Sequence, residues 1–223
     1  MKRKGTLMVC FVLMTVTASA QNLMFRIGGG LASHYNKETK NVGAFKFGVG
    51  YEFEMTGMWS IEPCISFYAK GWKEKNQEVN ILDKDGNQVV DPEGNEVTGQ
   101  KNVSSTANYI ELPILFHYYY EVKKHQYMVL TAGPYIAYGI GGKMETKGDA
   151  EKPGVNKYYY ATKTFEEKGA HRLDAGIQLG VGFEYNRSFG VGIEADFGLL
   201  NASRQQKNMS ALLTLRYRLP LSN

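Results

Sequence analysis

The chain of 223 residues contains only two cysteines, Cys10 and Cys64. Cys10 lies in an N-terminal stretch that we expect to be removed, so Cys64 would have no partner for an internal disulfide. The exported domain must therefore be stable through packing, hydrogen bonds and ion pairs alone. A lipid anchor at Cys10 is disfavoured, because the bulky Val9 precedes it.

Long apolar runs are also missing, since no segment has the roughly 18 apolar residues of a membrane-spanning helix. The longest apolar run, residues 7–16, follows three basic residues at positions 2–4 and precedes small residues. This order predicts a signal peptide over residues 1–20, cleaved between Ala20 and Gln21. We therefore expect the chain to be exported.

A marked charge imbalance is absent as well. The formal net charge is +4, and removal of the three basic residues of the signal peptide leaves +1, as 4 − 3. A balance this close to neutral excludes the basic surface that a nucleic-acid partner requires. We therefore expect no nucleic acid among the partners.

The mature chain instead shows eight segments in which apolar and polar residues alternate. Alternation at period two is the pattern of a β-strand with two different faces. In the clearest segment, Asn108–Tyr120, every second residue from Ile110 to Tyr120 is apolar or aromatic and lies on one face. Glu111 and His117 lie on the other face. The eight predicted strands are Leu23–Tyr35, Val42–Glu54, Met58–Trp72, Asn108–Tyr120, Tyr127–Met144, Arg172–Tyr185, Phe189–Leu200 and Asn208–Leu219.

The connections between these strands alternate between short and long. The two longest cover about residues 73–103 and 145–170. Short turns at one end and long loops at the other are typical of outer-membrane barrels. The sequence predicts an all-β domain over residues 21–223. Its architecture would be an eight-stranded antiparallel up-and-down transmembrane β-barrel with short periplasmic turns and long extracellular loops.

A soluble sandwich would also show alternation, so the make-up of the two faces decides between them. Many of the runs exceed ten residues, the length that a spanning strand needs. The polar face is rich in glycine and isolated charges, which fits a narrow barrel interior where charges must pair. The predicted interior network consists of Arg26, Lys46, Glu52, Glu62, Lys70, Glu111, His117, Asp174, Glu184, Glu194, Asp196, Arg216 and Arg218.

Aromatic residues of the apolar face cluster around the short turns. Such a cluster is the girdle expected at one membrane interface. The predicted girdle consists of Tyr51, Phe53, Trp59, Tyr118, Tyr120, Phe183, Tyr185, Phe189 and Tyr217. The apolar face would then contact outer-membrane lipid.

Four strand motifs resemble those of the PorT-like outer-membrane β-barrel family. They are YIELPILFHYY, GPYIAYGIGGK, DAGIQLGVGFEY and GVGIEADFGLLN, and they occur in the same order along the mature chain. The resemblance implies the barrel fold, and that family includes a protein needed for secretion across the outer membrane. One departure is the C-terminus, where Pro220–Asn223 replace the terminal aromatic residue that barrel chains often carry.

The first long loop contains two tandem octads, DKDGNQVV and DPEGNEVT. Asp83, Asp85 and Asn87 superficially match a calcium loop, but Gly86 comes too early and Gly94 occupies the position of the bidentate glutamate. Hairpin turns explain the pattern more simply, so no metal or cofactor is predicted. The candidate recognition residues of the two loops are Asp83, Asp85, Asn87, Asp91, Asn95, Tyr158, Tyr159 and Tyr160.

Tyr158–Tyr160 could form an exposed recognition patch or continue a strand above the bilayer, and the second interpretation is favoured. His117 is expected to be a hydrogen-bonded interior group, and Cys64 a small interior filler. We expect a monomeric, non-enzymatic protein with a binding or structural role through its extracellular loops, where a protein or glycan ligand would bind. The alternatives are a component of an envelope secretion or assembly complex, a small pore, and a lipid-modifying barrel enzyme.

Overall fold

The structure, a computed structural model, describes residues 22–35, 39–83, 85–148, 158–166, 169–203 and 206–221. The predicted signal peptide and its cleavage site at Ala20 and Gln21 lie outside the described residues. No helix within the described ranges is long and apolar enough to cross a bilayer.

Almost all of the regular structure is antiparallel β-sheet. A single 3₁₀ helix, Thr164–Glu166, accompanies the strands of the described residues. The strands are β1 Asn22–His34, β2 Thr39–Lys40, β3 Val42–Glu54, β4 Trp59–Glu74, β5 Gln77–Asn80, β6 Thr98–Lys123, β7 Gln126–Gly141, β8 Lys143–Gly148, β9 Tyr158–Lys163, β10 Leu173–Tyr185, β11 Phe189–Ser203 and β12 Gln206–Pro220.

The described residues thus form twelve strands, and the predicted number of eight is wrong. Eight long strands overlap the eight predicted segments, and each pairs with two neighbours in the closed order β1, β3, β4, β6, β7, β10, β11, β12 and back to β1. The other four strands are short and pair with the ends of β4 and β6 or with each other. They are two to six residues long and mostly polar, with Val79 of β5 as their one buried apolar core residue among those described.

The closure is uneven along the circuit. The β4–β6 ladder is interrupted between Pro63 and Ser66, and the β6–β7 ladder between Pro113 and Phe116. Proline has no backbone N–H to donate, so each interruption lies where a proline removes a ladder hydrogen bond.

The two faces of the circuit differ as the alternation predicts. On β6, Leu112, Ile114 and Phe116 are 42–49% exposed on the outer wall, whereas Glu111 and His117 are fully buried. The other seven strands of the circuit likewise carry exposed aliphatic and aromatic side chains on the outside. A continuous apolar outer wall of this size is unfavourable in water, so the outside is the lipid-facing side.

Short turns join the strands at one end, which we call the short-turn end. Asn186 and Arg187 both have positive φ angles, 52° and 48°. Two successive residues of this kind form the tight turn whose twist matches that of the flanking strands. The turns predicted near residues 55–57, 122–126 and 186–188 are all present at this end.

The opposite, long-loop end is more ordered than predicted. β6 has 26 residues and begins within the predicted first loop, where β5 pairs with it. The two octads form the predicted hairpin-like turns, closed by the bridges Leu82–Gln88 and Val90–Glu96. In the second predicted loop, Tyr158–Tyr160 lie in β9, which pairs with β8.

Candidate functional site

The barrel interior is filled by the predicted network, all thirteen members of which are buried. Near the short-turn end, Arg216 pairs with Glu184, and Arg218 pairs with Glu52 at 2.8 Å. The Tyr119 hydroxyl donates to Glu52 Oε1 at 2.6 Å and accepts from Arg218 Nη2 at 2.7 Å. These contacts join strands that are not neighbours in the circuit.

The middle layer centres on Arg26. Its two terminal nitrogens lie 2.9 Å from Glu62 Oε2 and 2.8 Å from Glu194 Oε1. His117 Nε2 lies 2.9 Å from Glu62 Oε2, and its Nδ1 lies 2.9 Å from Thr131 Oγ1. Both ring nitrogens of His117 are therefore engaged, which is the hydrogen-bonded interior role predicted from the sequence.

The upper layer is organised by two lysines. Lys46 Nζ lies 2.6 Å from Glu111 Oε1 and 3.1 Å from Asp196 Oδ2. Lys70 Nζ lies 2.8 Å from Asp174 Oδ2. In all three layers each buried cation has at least one carboxylate partner, which offsets part of the cost of removing the charges from water.

The predicted ion-pair network did not include several uncharged residues that contact it. The rings of Tyr68 and Tyr109 face Lys70 Nζ at 5.0 and 4.7 Å from their centroids, and the Tyr135 ring lies at 5.3 Å. Gln178 accepts from Lys46 at 3.0 Å and donates to Glu194. Each of these residues lies on the same face of the sheet as a charged residue of its own strand or of a neighbouring strand. That shared position in the alternation was the signal available in the sequence.

Both ends of the interior are covered by side chains. At the long-loop end, Phe165 of the 3₁₀ helix packs edge-on against Tyr109, with ring centroids 5.6 Å apart. At the short-turn end, the Arg187 guanidinium lies 4.7 Å from the Tyr119 ring centroid and bonds to Glu54 Oε1 at 3.2 Å. The space left beside Gly180 and the other glycines of β10 and β11 holds about one water molecule.

Cys64 and His34 are part of this packed interior. The Cys64 thiol is buried 3.5 Å from the Ser66 hydroxyl. The His34 ring stacks on Trp72 with centroids 4.1 Å apart, and its Nδ1 lies 2.7 Å from Gln206 Oε1. Neither side chain is presented to the solvent.

The predicted aromatic girdle lies on the outer wall near the short-turn end. Trp59, Tyr120, Tyr185, Phe189 and Tyr217 are 47–59% exposed. The Trp59 and Tyr118 rings contact each other with centroids 4.9 Å apart. Tyr51 and Phe53 are partly buried on the same wall, and Phe183 is 43% exposed.

The side chains of the loop candidates Asp83 and Asp91 accept hydrogen bonds within their own turns. Asp83 Oδ1 accepts the backbone N–H groups of Asp85 and Asn87 at 2.8 and 2.9 Å. Asp91 Oδ1 accepts the Asn95 N–H at 2.8 Å. These hydrogen bonds lower the pKa of both aspartates, chiefly through Asn87 and Asn95. In the part of the chain that the structure describes, acidic, histidine and cysteine side chains form no group of three that could hold a metal ion.

The tyrosines of the second loop project from β9. Tyr159 and Tyr160 are 57% and 52% exposed, and they point to opposite faces of the strand because they are adjacent. The side chain of Tyr158 lies outside the described residues. Tyr159 lies among charged residues of β8, where its hydroxyl donates to Glu145 Oε1 at 3.1 Å.

Several solved outer-membrane structures are similar to this chain in outline. Ail, the attachment invasion locus protein of Yersinia pestis, is 12% identical with a TM-score of 0.41, covering 90% of this chain and 99% of its own. Neisserial surface protein A is 8% identical with a TM-score of 0.40, covering 88% and 97%. The outer membrane enzyme PagL is 11% identical with a TM-score of 0.36, covering 90% and 99%. Likeness at this level says nothing about ligand or activity.

No curated protein matches the chain. The profile of the family described as outer membrane protein beta-barrel domain matches residues 14–204, which is well over half of the chain. This match agrees with the closed strand circuit, the apolar outer wall and the polar interior. The chain belongs to the outer-membrane β-barrel domain family, and its location is the bacterial outer membrane.

Proposed function

We propose that this protein is a monomeric, non-enzymatic outer-membrane barrel that binds a ligand at its long-loop end. The eight strands of the circuit would span the membrane, with the short turns in the periplasm and the long-loop end outside the cell. The aromatic girdle near Trp59 and Tyr185 would then lie at the periplasmic interface.

The observation that carries this proposal is the filled and covered interior. Five cationic and seven acidic side chains are buried there, and Phe165 and Arg187 lie across the two ends. A closed ion-pair core favours a rigid scaffold over a diffusion pore. The polar surface available to a ligand is then the β5, β6, β8 and β9 region that rises from the barrel.

A lipid-modifying enzyme is the less favoured reading. Such an enzyme requires a nucleophile and a base close together at an accessible rim. His34 and His117 are instead engaged with Gln206, Glu62 and Thr131 inside the barrel. This supports a binding role, and we propose that the ligand is a protein or a glycan.

Membership of the PorT-like group within the family is part of the same proposal, and it rests on the four strand motifs. It raises the alternative that the barrel acts within an envelope secretion or assembly complex. A partner in such a complex would contact the short-turn end near Ser188, because this end faces the periplasm in the proposed orientation.

Single cysteines placed at the two ends test the orientation and the binding face. In a Cys64→Ser background, a membrane-impermeant maleimide should label Asn95→Cys in intact cells and leave Ser188→Cys unlabelled until the envelope is opened. Labelling in the reverse order would overturn the orientation. Photo-crosslinkers at the same two positions should capture a partner at Asn95, and capture at Ser188 alone would favour the secretion complex.

A further inference from the structure

Strands β6, β8 and β9 extend the outer wall of the barrel beyond its apolar band. On β7, Ile136, Tyr138 and Ile140 are 50–55% exposed on that wall. Three residues beyond Ile140, the Lys143 side chain is 56% exposed, and the Lys143 N–H donates to Thr106 Oγ1 of β6 at 3.2 Å. The outer wall therefore changes from apolar to cationic over the three residues between Ile140 and Lys143.

Three lysines share this upper part of the wall. The register pairs Lys143 with Lys163 and Lys147 with Tyr159. Directly opposed residues of an antiparallel pair lie on the same face, and opposed like charges destabilise the pairing. The face thus holds a repulsive Lys143–Lys163 pair, which an anion placed between or above the two ammonium groups would relieve.

The carboxylates near these lysines do not balance them. Glu145 lies between two ammonium groups, 2.5 Å from Lys143 Nζ and 2.9 Å from Lys147 Nζ. These contacts, Lys143 first, lower the pKa of Glu145 to about 2, so Glu145 is ionised at any physiological pH. Lys163 pairs with Glu166 at 2.8 Å. Among the described residues of β8, β9 and the 3₁₀ helix, three cations therefore stand against two anions, an excess of one positive charge.

Amide side chains continue the same face across β6. Asn102 lies opposite Lys147 in the β6–β8 register. Its Nδ2 donates to Asn76 Oδ1 at 2.9 Å, and Asn76 Nδ2 donates to Gln100 Oε1 at 2.8 Å. Asn102 Nδ2 also donates to the Glu74 carbonyl at 3.2 Å, so Asn102 offers its amide oxygen as an acceptor for a sugar hydroxyl.

We propose that the face formed by Asn102, Lys143, Lys147 and Tyr159 binds the phosphorylated sugar headgroup of a glycolipid in the outer leaflet. The lysines would bind the phosphate, the exposed Tyr159 ring would pack on a sugar, and the amides would bond its hydroxyls. The acyl chains would lie against Ile136, Tyr138 and Ile140. The inference rests on the proposed orientation, with the long-loop end outside the cell.

A lipid fits this face better than a free glycan because the two surfaces are continuous. The cationic residues begin where the apolar band ends, so one molecule can contact both. A soluble glycan would use only the polar half. The glycolipid is therefore the occupant to test, and the free glycan becomes one outcome of the test.

The experiment measures binding of lipopolysaccharide to the purified full-length barrel immobilised in detergent. The test variant is Lys143→Gln with Lys147→Gln, and the control is Lys123→Gln with Lys124→Gln, two exposed lysines of the short-turn end. Loss of two surface lysines should weaken binding at least about tenfold, and the control should bind like the wild type. Unboiled and boiled electrophoretic mobility verifies that both variants are folded.

Two further ligands separate the outcomes. Phosphatase-treated lipopolysaccharide should bind the wild type about as weakly as the untreated glycolipid binds the test variant. Lipid-free core oligosaccharide should bind much more weakly than the intact glycolipid, and equal binding would identify a free glycan as the ligand. Equal lipopolysaccharide binding by both lysine variants would overturn the inference, whereas external labelling at Asn95→Cys would still support the proposed orientation.

Discussion

The Lys46 ammonium lies 2.6 Å from the Glu111 carboxylate although the strands that carry them, β3 and β6, are not neighbours in the sheet. Asp196 of β11 approaches the same ammonium at 3.1 Å. A single buried cation therefore links three strands across the interior. Its removal should lower the free energy of unfolding far more than loss of a surface ion pair, because all three charges are buried away from water.

Replacing Lys46 by methionine should destabilise the barrel by about 3–5 kcal/mol, because Glu111 and Asp196 would remain buried without their cation. The free energy of unfolding is measured by denaturant titration of the protein in lipid vesicles. Lys123→Met serves as the control, since this exposed lysine of the short-turn end should contribute nothing measurable. A Lys46→Met barrel as stable as the wild type would show that the network does not depend on this cation.

Leu179→Arg should cost about 2–4 kcal/mol, because the substitution places a charge against the middle of the bilayer. Leu179 is 46% exposed on the outer wall of β10, between Ala132 and Ala195 of the neighbouring strands. The control is Val90→Arg, because Val90 is an apolar residue, 56% exposed, that lies beyond the barrel in the first long loop. The same vesicle titration reports both values, and equal stabilities would mean that the β10 wall is not in lipid.

Gly139→Ala should displace Phe165 from the long-loop end. A Cβ at Gly139 would overlap the Phe165 ring, which packs on Tyr109 and lies beneath the Arg172 guanidinium. We expect faster proteolysis within residues 158–166 and an unchanged mobility shift on heating, because the strand circuit does not include that segment. Phe165→Ala should reproduce the effect. Unaltered proteolysis in both variants would show that the ring does not hold the segment in place.

The two octad turns should loosen in acid. Accepted hydrogen bonds lower the pKa of Asp83 and Asp91, so their contribution to turn stability is complete above the unfolded pKa of about 3.9. It is lost as the pH falls through the lowered folded value. Amide hydrogen exchange at Asn87 and Asn95, extrapolated from a pH series, measures the loss.

Asp83→Asn should loosen the first turn at neutral pH and leave the second unchanged. Asp85→Asn is the control, because Asp85 contributes its backbone N–H to the turn and its side chain is exposed. Equal protection of Asn87 in all three proteins would contradict the role assigned to the Asp83 carboxylate.

Much of the barrel followed from local pattern alone. Val42–Glu54 was predicted with the bounds that β3 has in the structure. The outward set of β6 and the buried position of Glu111 were predicted from alternation. Lipid on one side and a narrow polar interior on the other impose period two on every spanning strand. Each strand can therefore be recognised from its own segment of the sequence.

The strands outside the lipid band were not predictable in the same way. β8 carries the sequence Lys143–Gly148 without apolar alternation, because water lies on its faces and selects no side. It forms by pairing with the unusually long β6, which begins at Thr98. Only the tertiary structure therefore shows that described parts of the two predicted loops, residues 77–80, 98–103, 145–148 and 158–163, extend the sheet.

The sequence by itself determined that the chain is a barrel of alternating strands, which side chains point inward, and that the inward charges must form ion pairs. The tertiary structure alone decided the partners. Arg26 meets Glu62 and Glu194, which are 36 and 168 positions away along the chain, because strand stagger around the circuit sets which residues share a level. The cationic face combines both origins: Lys143 and Lys147 share a face through the period-two alternation of β8, whereas the β8–β9 register brings Tyr159 opposite Lys147.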